Sequence, residues 1–582
     1  MKSRFIALLL LSFLSAFVLQ AREIFPEKAF YLSFNFTQTH NLYKIAQIAD
    51  HAKKAGYNTV YLADAKFGNP WARGRQYEKN LKEAVKMLRE RNLKVAVYVC
   101  AHGQFLQEHP FEAECVPVQE QEFKAVNGKI TGKNFFSNSS FEEGMKGWKP
   151  DTGKDIAIDS TVSASGKNSL RFRLDPKKRG QIRVSRAIPV APFRQYTLSL
   201  KLKTRNMQGK GSPFGIAAQP VGIIRNGKSS EFRYFCYQRL NTVRPIKSTQ
   251  DWQEYTFSFN TLDQDEVTLF IGSWGGTGGE FWVDDVELRS ASFTNIVRKA
   301  DMPLVITSAD KKVRYEEGKD YSAVRDPLCG NYRWKGSFDF THAGPVITIP
   351  KGSRIKEGEK LLASYHHVLA GASQTPDICL NSPLLKQLVA RQVKWFRDKV
   401  NPEGYLIAID EYRCYGYDPA CLKSGRKAGT ALNDLALFTY KEIKKNAPGS
   451  RIYMWNDMFD PYGNCKKERF YYNVRGRGSL WNSWLGLPKD IIILRWQCSN
   501  LEMVKGSMEH WSRLGMKYVQ FPTYFCTTFS PMARPIIEAS AKDPNCIGIA
   551  FAQWLKIDNF KPYFEQLMQL VSEVEKATQS GK

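Results

Sequence analysis

Tyr405-Leu-Ile-Ala-Ile-Asp-Glu411 is five apolar residues running straight into two adjacent acids. A continuous apolar run of this length reads as a strand buried on both faces, the pattern of a parallel sheet covered by helices. The same pattern recurs on either side. Phe30–Phe36, Thr59–Leu62 and Lys94–Val99 precede it; Arg451–Trp455, Asp490–Trp496, Lys517–Phe521 and Ile547–Phe551 follow. Between several of these runs apolar residues recur at helical spacing, as in Leu42, Ile45, Ile48 and Ala52, closed by Gly56, or Leu385, Val389 and Val393 before the quoted stretch. Eight such strands with intervening helices predict an α/β fold, a (β/α)8 TIM barrel whose active face lies at the strand C-termini.

The barrel rhythm breaks after its third strand. Residues 134–290 alternate polar and apolar, clearest in Tyr196-Thr-Leu-Ser-Leu-Lys-Leu-Lys203 and Tyr255-Thr-Phe-Ser-Phe259, with frequent Gly, Ser and Asn turns. That predicts an all-β, jelly-roll-type sandwich. Residues 291–369 read as a small β-subdomain. The first barrel part is then 22–133 and the remainder 370–582. Residues 1–21 read as a signal peptide: Lys2 and Arg4, the apolar run Ile6–Leu19, then Gln20-Ala21 as the cleavage region. The expectation is a secreted, periplasmic or cell-surface protein with no transmembrane segment after cleavage.

The composition is that of a globular protein, 43% hydrophobic and 13% aromatic, with a formal net charge of +27. A basic surface attracts polyanions, here anionic glycans, or reflects a basic background shared with other proteins. No motif for nucleic acid is present. The 11 cysteines are an odd number, which leaves at least one thiol free, and no CxxC pair supports a zinc site. Cys414 and Cys421 are close enough to staple one loop, or are two buried thiols. No metal and no cofactor are expected.

Polar and aromatic residues mark the strand ends: Asp64, His102, Asp410 and Glu411, Trp455 and Asp457, Trp496, Tyr524, Trp554. Aromatic faces stack on sugar rings, and carboxylates bond hydroxyls. Two buried neighbouring acids disfavour each other's ionisation, which raises one pKa, as a general acid requires. Asp410 and Glu411 are therefore the candidate catalytic residues, and the others candidate substrate contacts. Asp457 equally suits a local Asx-turn, the tryptophans also suit core positions, and His102 an ordinary loop.

These barrel strands resemble family 20 of the glycoside hydrolases, the β-N-acetylhexosaminidases. The resemblance rests on Leu406-Ile-Ala-Ile-Asp-Glu411, Pro376-Asp-Ile-Cys-Leu-Asn381, Tyr453-Met-Trp-Asn-Asp457, Trp496 and Gly548-Ile-Ala-Phe-Ala-Gln-Trp554. It implies substrate-assisted cleavage of amino-sugar glycans: Asp410 orients the acetamido group, Glu411 is the acid/base, and Tyr524 bonds the acetamido group. The sequence departs from the family in lacking an Arg at the end of its first strand and in following Trp554 with Leu555 and Lys556. The insert is similar to carbohydrate-binding modules, through Asn138-Ser-Ser-Phe-Glu-Glu-Gly144 with Trp148 and Phe281-Trp-Val-Asp-Asp-Val-Glu-Leu288. Trp274 and Tyr237 are its candidate sugar platforms, or core residues. Alternatives to this mechanism are a two-carboxylate glycosidase acting on a non-acetamido sugar and a non-catalytic glycan-binding protein. The expected partner is an oligosaccharide or polysaccharide.

Overall fold

Eight parallel strands close into one barrel in the computed structural model: β1 (Glu27–Ser33), β2 (Thr59–Ala63), β3 (Lys94–Val99), β4 (Gly404–Ile407), β5 (Arg451–Trp455), β6 (Ile491–Arg495), β7 (Tyr518–Gln520) and β8 (Cys546–Phe551). The structure describes residues 23–100, 102–150, 155–175, 182–209, 215–220, 236–238, 246–273, 275–291, 293–369, 376–412, 414–467, 475–476, 479–496, 500–523, 530–552 and 561–581. The predicted signal segment 1–21 lies outside them. No helix among them is long and apolar enough to cross a membrane. Nearly every residue of β2 to β8 is buried, which is why the sequence shows unbroken apolar runs there.

The alternating (β/α)8 expectation is corrected. The described helices are α1 (Asn41–Ala55), α2 (Arg75–Glu90), α3 (Pro383–Lys399), α4 (Pro419–Ser424), α5 (Ala428–Asn446), α6 (Leu501–Arg513), α7 (Ala533–Ala541) and α8 (Lys561–Gln579). Both α4 and α5 lie between β4 and β5. Among the described residues no α-helix joins β5 to β6: the chain makes a 3-10 turn at Asp457–Phe459 and a short strand at Arg475–Gly476. Pro461, Gly463, Gly476, Gly478, Gly486 and Pro488 make this segment rich in residues that disfavour helix. The short strand pairs with Cys414–Tyr415, so the loops leaving β4 and β5 are zipped together above the barrel.

The sandwich consists of two five-stranded antiparallel sheets. In its long strand Gln195–Gly209 the alternate residues Leu198, Leu200 and Leu202 are buried, as period-two patterning requires. Phe172 stacks on Phe281 at 4.3 Å in the core between the sheets. A seven-stranded sheet joins sandwich to barrel. It draws Cys115–Val126 and Lys129–Gly132 from ahead of the sandwich and Lys360–Val368 from behind it, so its strands come from both sides of the insertion. The sandwich reaches the barrel mouth through Phe193, whose ring meets Tyr417 edge-on at 5.8 Å, just beyond Asp410 and Glu411.

Candidate functional site

Three carboxylates converge where β4 and β5 end. Asp410 and Glu411 follow β4 directly and are half-buried; Asp457 follows β5 and is fully buried. Glu411 adopts φ +43°, a left-handed backbone that costs a non-glycine residue roughly 1–2 kcal/mol. Strain of this kind persists where surrounding contacts enforce it, and it clusters at functional sites. Here the contact is visible: the Glu411 N–H donates to Asp457 Oδ2 at 3.1 Å. Asn464 Nδ2 donates to the same oxygen at 3.2 Å. Asp457 Oδ1 is buried without a hydrogen-bond partner, and so is the indole nitrogen of Trp455 two residues earlier.

Burial pushes the Asp457 carboxyl up to about 8. The charges of Asp410 and Glu411 act in the same direction, and the two hydrogen bonds act against it. At neutral pH Asp457 is therefore a neutral acid beside two others. Asp410 accepts from the Tyr98 hydroxyl, with oxygens at 3.3 and 3.4 Å. Tyr98 meets Tyr31 of β1 edge-on at 6.3 Å, and Tyr31 lies 6.2 Å from the Trp455 ring. Burial raises the Tyr31 hydroxyl pKa, and the charges of Asp410 and Asp64 add to the rise. A chain of aromatic rings, Tyr98, Tyr31 and Trp455, thus leads away from Asp410.

The other sequence candidates divide. Asp64 is buried and consumed by the fold: it accepts from Phe36 N (3.0 Å), Tyr77 OH (3.1 Å) and Lys66 N (3.0 Å). It acts as an anchor for the loop after β1. Trp496 is half-buried, and its backbone N–H donates to Asn456 Oδ1 at 3.3 Å. His102 begins a 3-10 turn, and its side chain lies outside the description. Tyr524, Trp554 and Trp274 lie outside the described residues, as does the Tyr237 side chain. Sequence reasoning missed Tyr31 and Tyr98. The available signal was a tyrosine late in each of two strands, two positions from the strand end in β1 and one in β3. The proposed Cys414–Cys421 staple is corrected: Cys414 packs among Val116, Leu369 and Tyr417, and the Cys421 sulfur faces Cys379. A separate cavity of about 820 Å³, lined by Phe111, Arg298, Arg325 and Lys335 among others, contains none of the candidate residues.

Residues 133–277 match the family model described as a carbohydrate binding domain. The sandwich is therefore a domain of the carbohydrate-binding-module type. Among solved structures, "Family 16 Carbohydrate Binding Module-2" is 18% identical, covering 26% of this chain and 96% of its own at a TM-score of 0.20. The CBM22-1 xylan-binding domain from Paenibacillus barcinonensis Xyn10C is also 18% identical, with 29% and 97% coverage and a TM-score of 0.21. TmCBM61 in complex with β-1,4-galactotriose is 16% identical, with 27% and 97% coverage and a TM-score of 0.18. No curated protein sequence matches the chain.

Proposed function

We propose that this protein is an exported glycoside hydrolase that cleaves glycans containing 2-acetamido sugars. The barrel supplies the chemistry, and the module holds the chain on its substrate. The observation that carries the reading is the convergence at one mouth of Asp410, a backbone-strained Glu411 and a neutral Asp457 whose Oδ1 has no partner. A buried polar atom left unpaired costs about 1–3 kcal/mol, and a hydroxyl or carbonyl of a bound sugar would relieve that cost.

The Tyr98 hydroxyl holds the Asp410 carboxylate, which takes the acetamido N–H. That aims the acetamido oxygen at the anomeric carbon. As the oxygen forms its bond there, Glu411 passes its proton to the departing glycosidic oxygen, and the bond to that oxygen breaks. The resulting cyclic oxazolinium carries positive charge beside Asp410. Glu411, now a carboxylate, deprotonates the water that reopens the ring and so recovers its proton. The neutral state of Asp457 leaves Asp410 as the one charged carboxylate of the three as this step begins.

A panel of aryl glycosides tests the reading. Turnover is expected on 2-acetamido sugars, together with tight inhibition by a thiazoline mimic of the cyclic intermediate. Turnover confined to 2-hydroxy sugars would instead assign Glu411 and Asp457 to a two-carboxylate scheme. Glycan binding with no turnover on either class would leave the chain as a binding protein.

A further inference from the structure

Behind the mouth, on the far side of the loop that carries Asp410 and Glu411, lies a cluster that the proposed hydrolysis does not use. Glu114, Cys379 and Cys421 are all buried, and their ligand-type atoms lie within 4.8 Å of one another. The two sulfurs are 3.4 Å apart, and Cys421 Sγ is 3.3 Å from Glu114 Oε2. The carboxylate is oriented from behind: its other oxygen, Oε1, accepts from the backbone N–H groups of Tyr417 (3.0 Å) and Asp418 (3.1 Å). That leaves Oε2 turned to the sulfurs. Asn381 Nδ2 lies 3.1 Å from Cys421 Sγ and 3.2 Å from the Tyr415 hydroxyl, so it supports that sulfur from the side.

An independent feature points to a missing ligand. Asp418 is 2% exposed, and its Oδ1 caps α4 by accepting from Ala420 N at 2.9 Å. Its Oδ2 is buried with no hydrogen-bond partner, while Cys379 is among the groups that stabilise its charge. The cluster therefore collects two buried carboxylates and two thiols. Burial raises the Glu114 pKa, and the charges of Cys421 and Asp418 raise it further. The Cys379 hydrogen bond leads the effects that bring the Cys421 thiol down to about 7. Thiols and carboxylates gathered in one buried place are surroundings that a cation stabilises.

We propose that Glu114, Cys379 and Cys421 hold one thiophilic divalent cation of the zinc class, with the Asp418 carboxylate nearby. Metal–sulfur bonds of about 2.3 Å and metal–oxygen bonds of about 2.1 Å give tetrahedral edges of about 3.8 Å between sulfurs and about 3.6 Å between sulfur and oxygen. The separations between the two sulfurs and between Cys421 Sγ and Glu114 Oε2 are a few tenths of an ångström shorter, so those two edges need only a slight spreading. Two soft sulfurs with carboxylates favour zinc over calcium or magnesium. All three ligands are buried and none is one of the three mouth carboxylates, so the cation is structural. It clamps the start of the inserted β-region (Glu114), the segment entering α3 (Cys379) and α4, which follows Asp410 and Glu411 (Cys421). The ligands are separated by up to 307 positions, so no short cysteine motif announces them.

The test uses the purified full chain. Dialysed against zinc and then freed of excess, it is expected to retain one equivalent by elemental analysis and to melt several degrees higher than the chelated protein. Cobalt(II) alone, added to the chelated protein, is expected to give visible bands of a tetrahedral site and an ultraviolet sulfur-to-cobalt band saturating at one equivalent. Both signatures should be lost in Cys379→Ser and Cys421→Ser. The cobalt titration of the unsubstituted protein needs no variant to fold. Absence of the sulfur-to-cobalt band overturns the proposal, as does one equivalent of zinc retained by the double serine variant. A mass lower by two hydrogens, with Cys379 and Cys421 joined as a disulfide, overturns it equally.

Discussion

The sandwich and the barrel mouth treat their buried carboxylates in opposite ways. In the sandwich, Asp159 accepts from Thr161 N (2.9 Å), Thr161 Oγ1 (2.6 Å) and Trp282 Nε1 (2.9 Å). Burial works to raise its pKa, but these bonds and Arg171 outweigh burial and bring it down to about 2. Asp284 is likewise filled, by the N–H groups of Ala164, Ser165 and Asp285. At the mouth, Asp457 keeps one oxygen empty and rises to about 8. The contrast is not one of barrel against sandwich: Asp460, three residues from Asp457, accepts from Asn456, Tyr462, Ser507 and Trp511 and is a brace like Asp159. A buried acid whose lone pairs are all matched holds the fold, whereas one left partly unmatched marks a place for something else to bind.

The comparison breaks hardest at Glu411. If it is the acid, Glu411→Gln lowers turnover of substrates with poor leaving groups by roughly 10²–10⁴-fold, and less where the leaving group is already acidic. Equal losses on both substrates, measured by steady-state kinetics, would reassign it to folding. Asp410→Asn keeps the shape and removes the charge. It is expected to lower kcat by on the order of 10²–10³-fold with a smaller change in KM, because the lost interaction strengthens in the transition state. A change in KM alone would make Asp410 a simple binding residue.

Asp457 sharpens the comparison through pH. Its carboxyl is raised in the fold, so the stability it contributes is complete below the unfolded value of about 3.9 and is lost as pH rises through about 8. Ionisation there also places a second negative charge beside Asp410 and next to the acid Glu411. Activity of the unsubstituted protein is expected to be about tenfold below its plateau one pH unit above that value. Asp457→Asn mimics the neutral acid and should keep turnover at pH 7 within a few-fold while flattening the alkaline limb of the profile. An alkaline limb that persists unchanged in Asp457→Asn would assign it to another group.

Legibility followed the same division. The apolar runs that became β1 to β8 were readable because burial on both faces leaves an unbroken hydrophobic signature, and Leu198, Leu200 and Leu202 were readable because burial on one face leaves alternation. That the described residues between β5 and β6 hold no α-helix was not deduced from rhythm, although Pro461, Gly463, Gly476 and Pro488 are residues that disfavour one. At the site, Asp410 and Glu411 stood out as adjacent acids, and Asp457 as an acid after a strand. Asp64 looked the same from sequence, and only the donors around it, brought from Phe36 and Tyr77, show it to be matched. Glu114, Cys379 and Cys421 were invisible, because the chain folds them together from three distant segments.

The smallest expected effect lies at the matched acid. Asp159→Asn replaces an acceptor for three donors with a group that has a single acceptor oxygen, so at least one buried donor loses its partner. Hydrogen bonds to a charged group contribute about 1.5–3 kcal/mol, and the sandwich should lose stability on that scale, read as a lower thermal midpoint at pH 7. The native Asp159 is depressed, so its contribution is present above the unfolded value of about 3.9 and is lost as pH falls through about 2. The gap between native and variant midpoints should therefore close in acid. Turnover of a small aryl glycoside at pH 7, well below either midpoint, should not change, because that substrate needs the mouth and not the module. If Asp159→Asn lowers kcat on the aryl substrate while the sandwich still melts normally, the division between bracing and working acids fails. The contact of Phe193 with Tyr417 would then be where sandwich and catalytic loop are coupled.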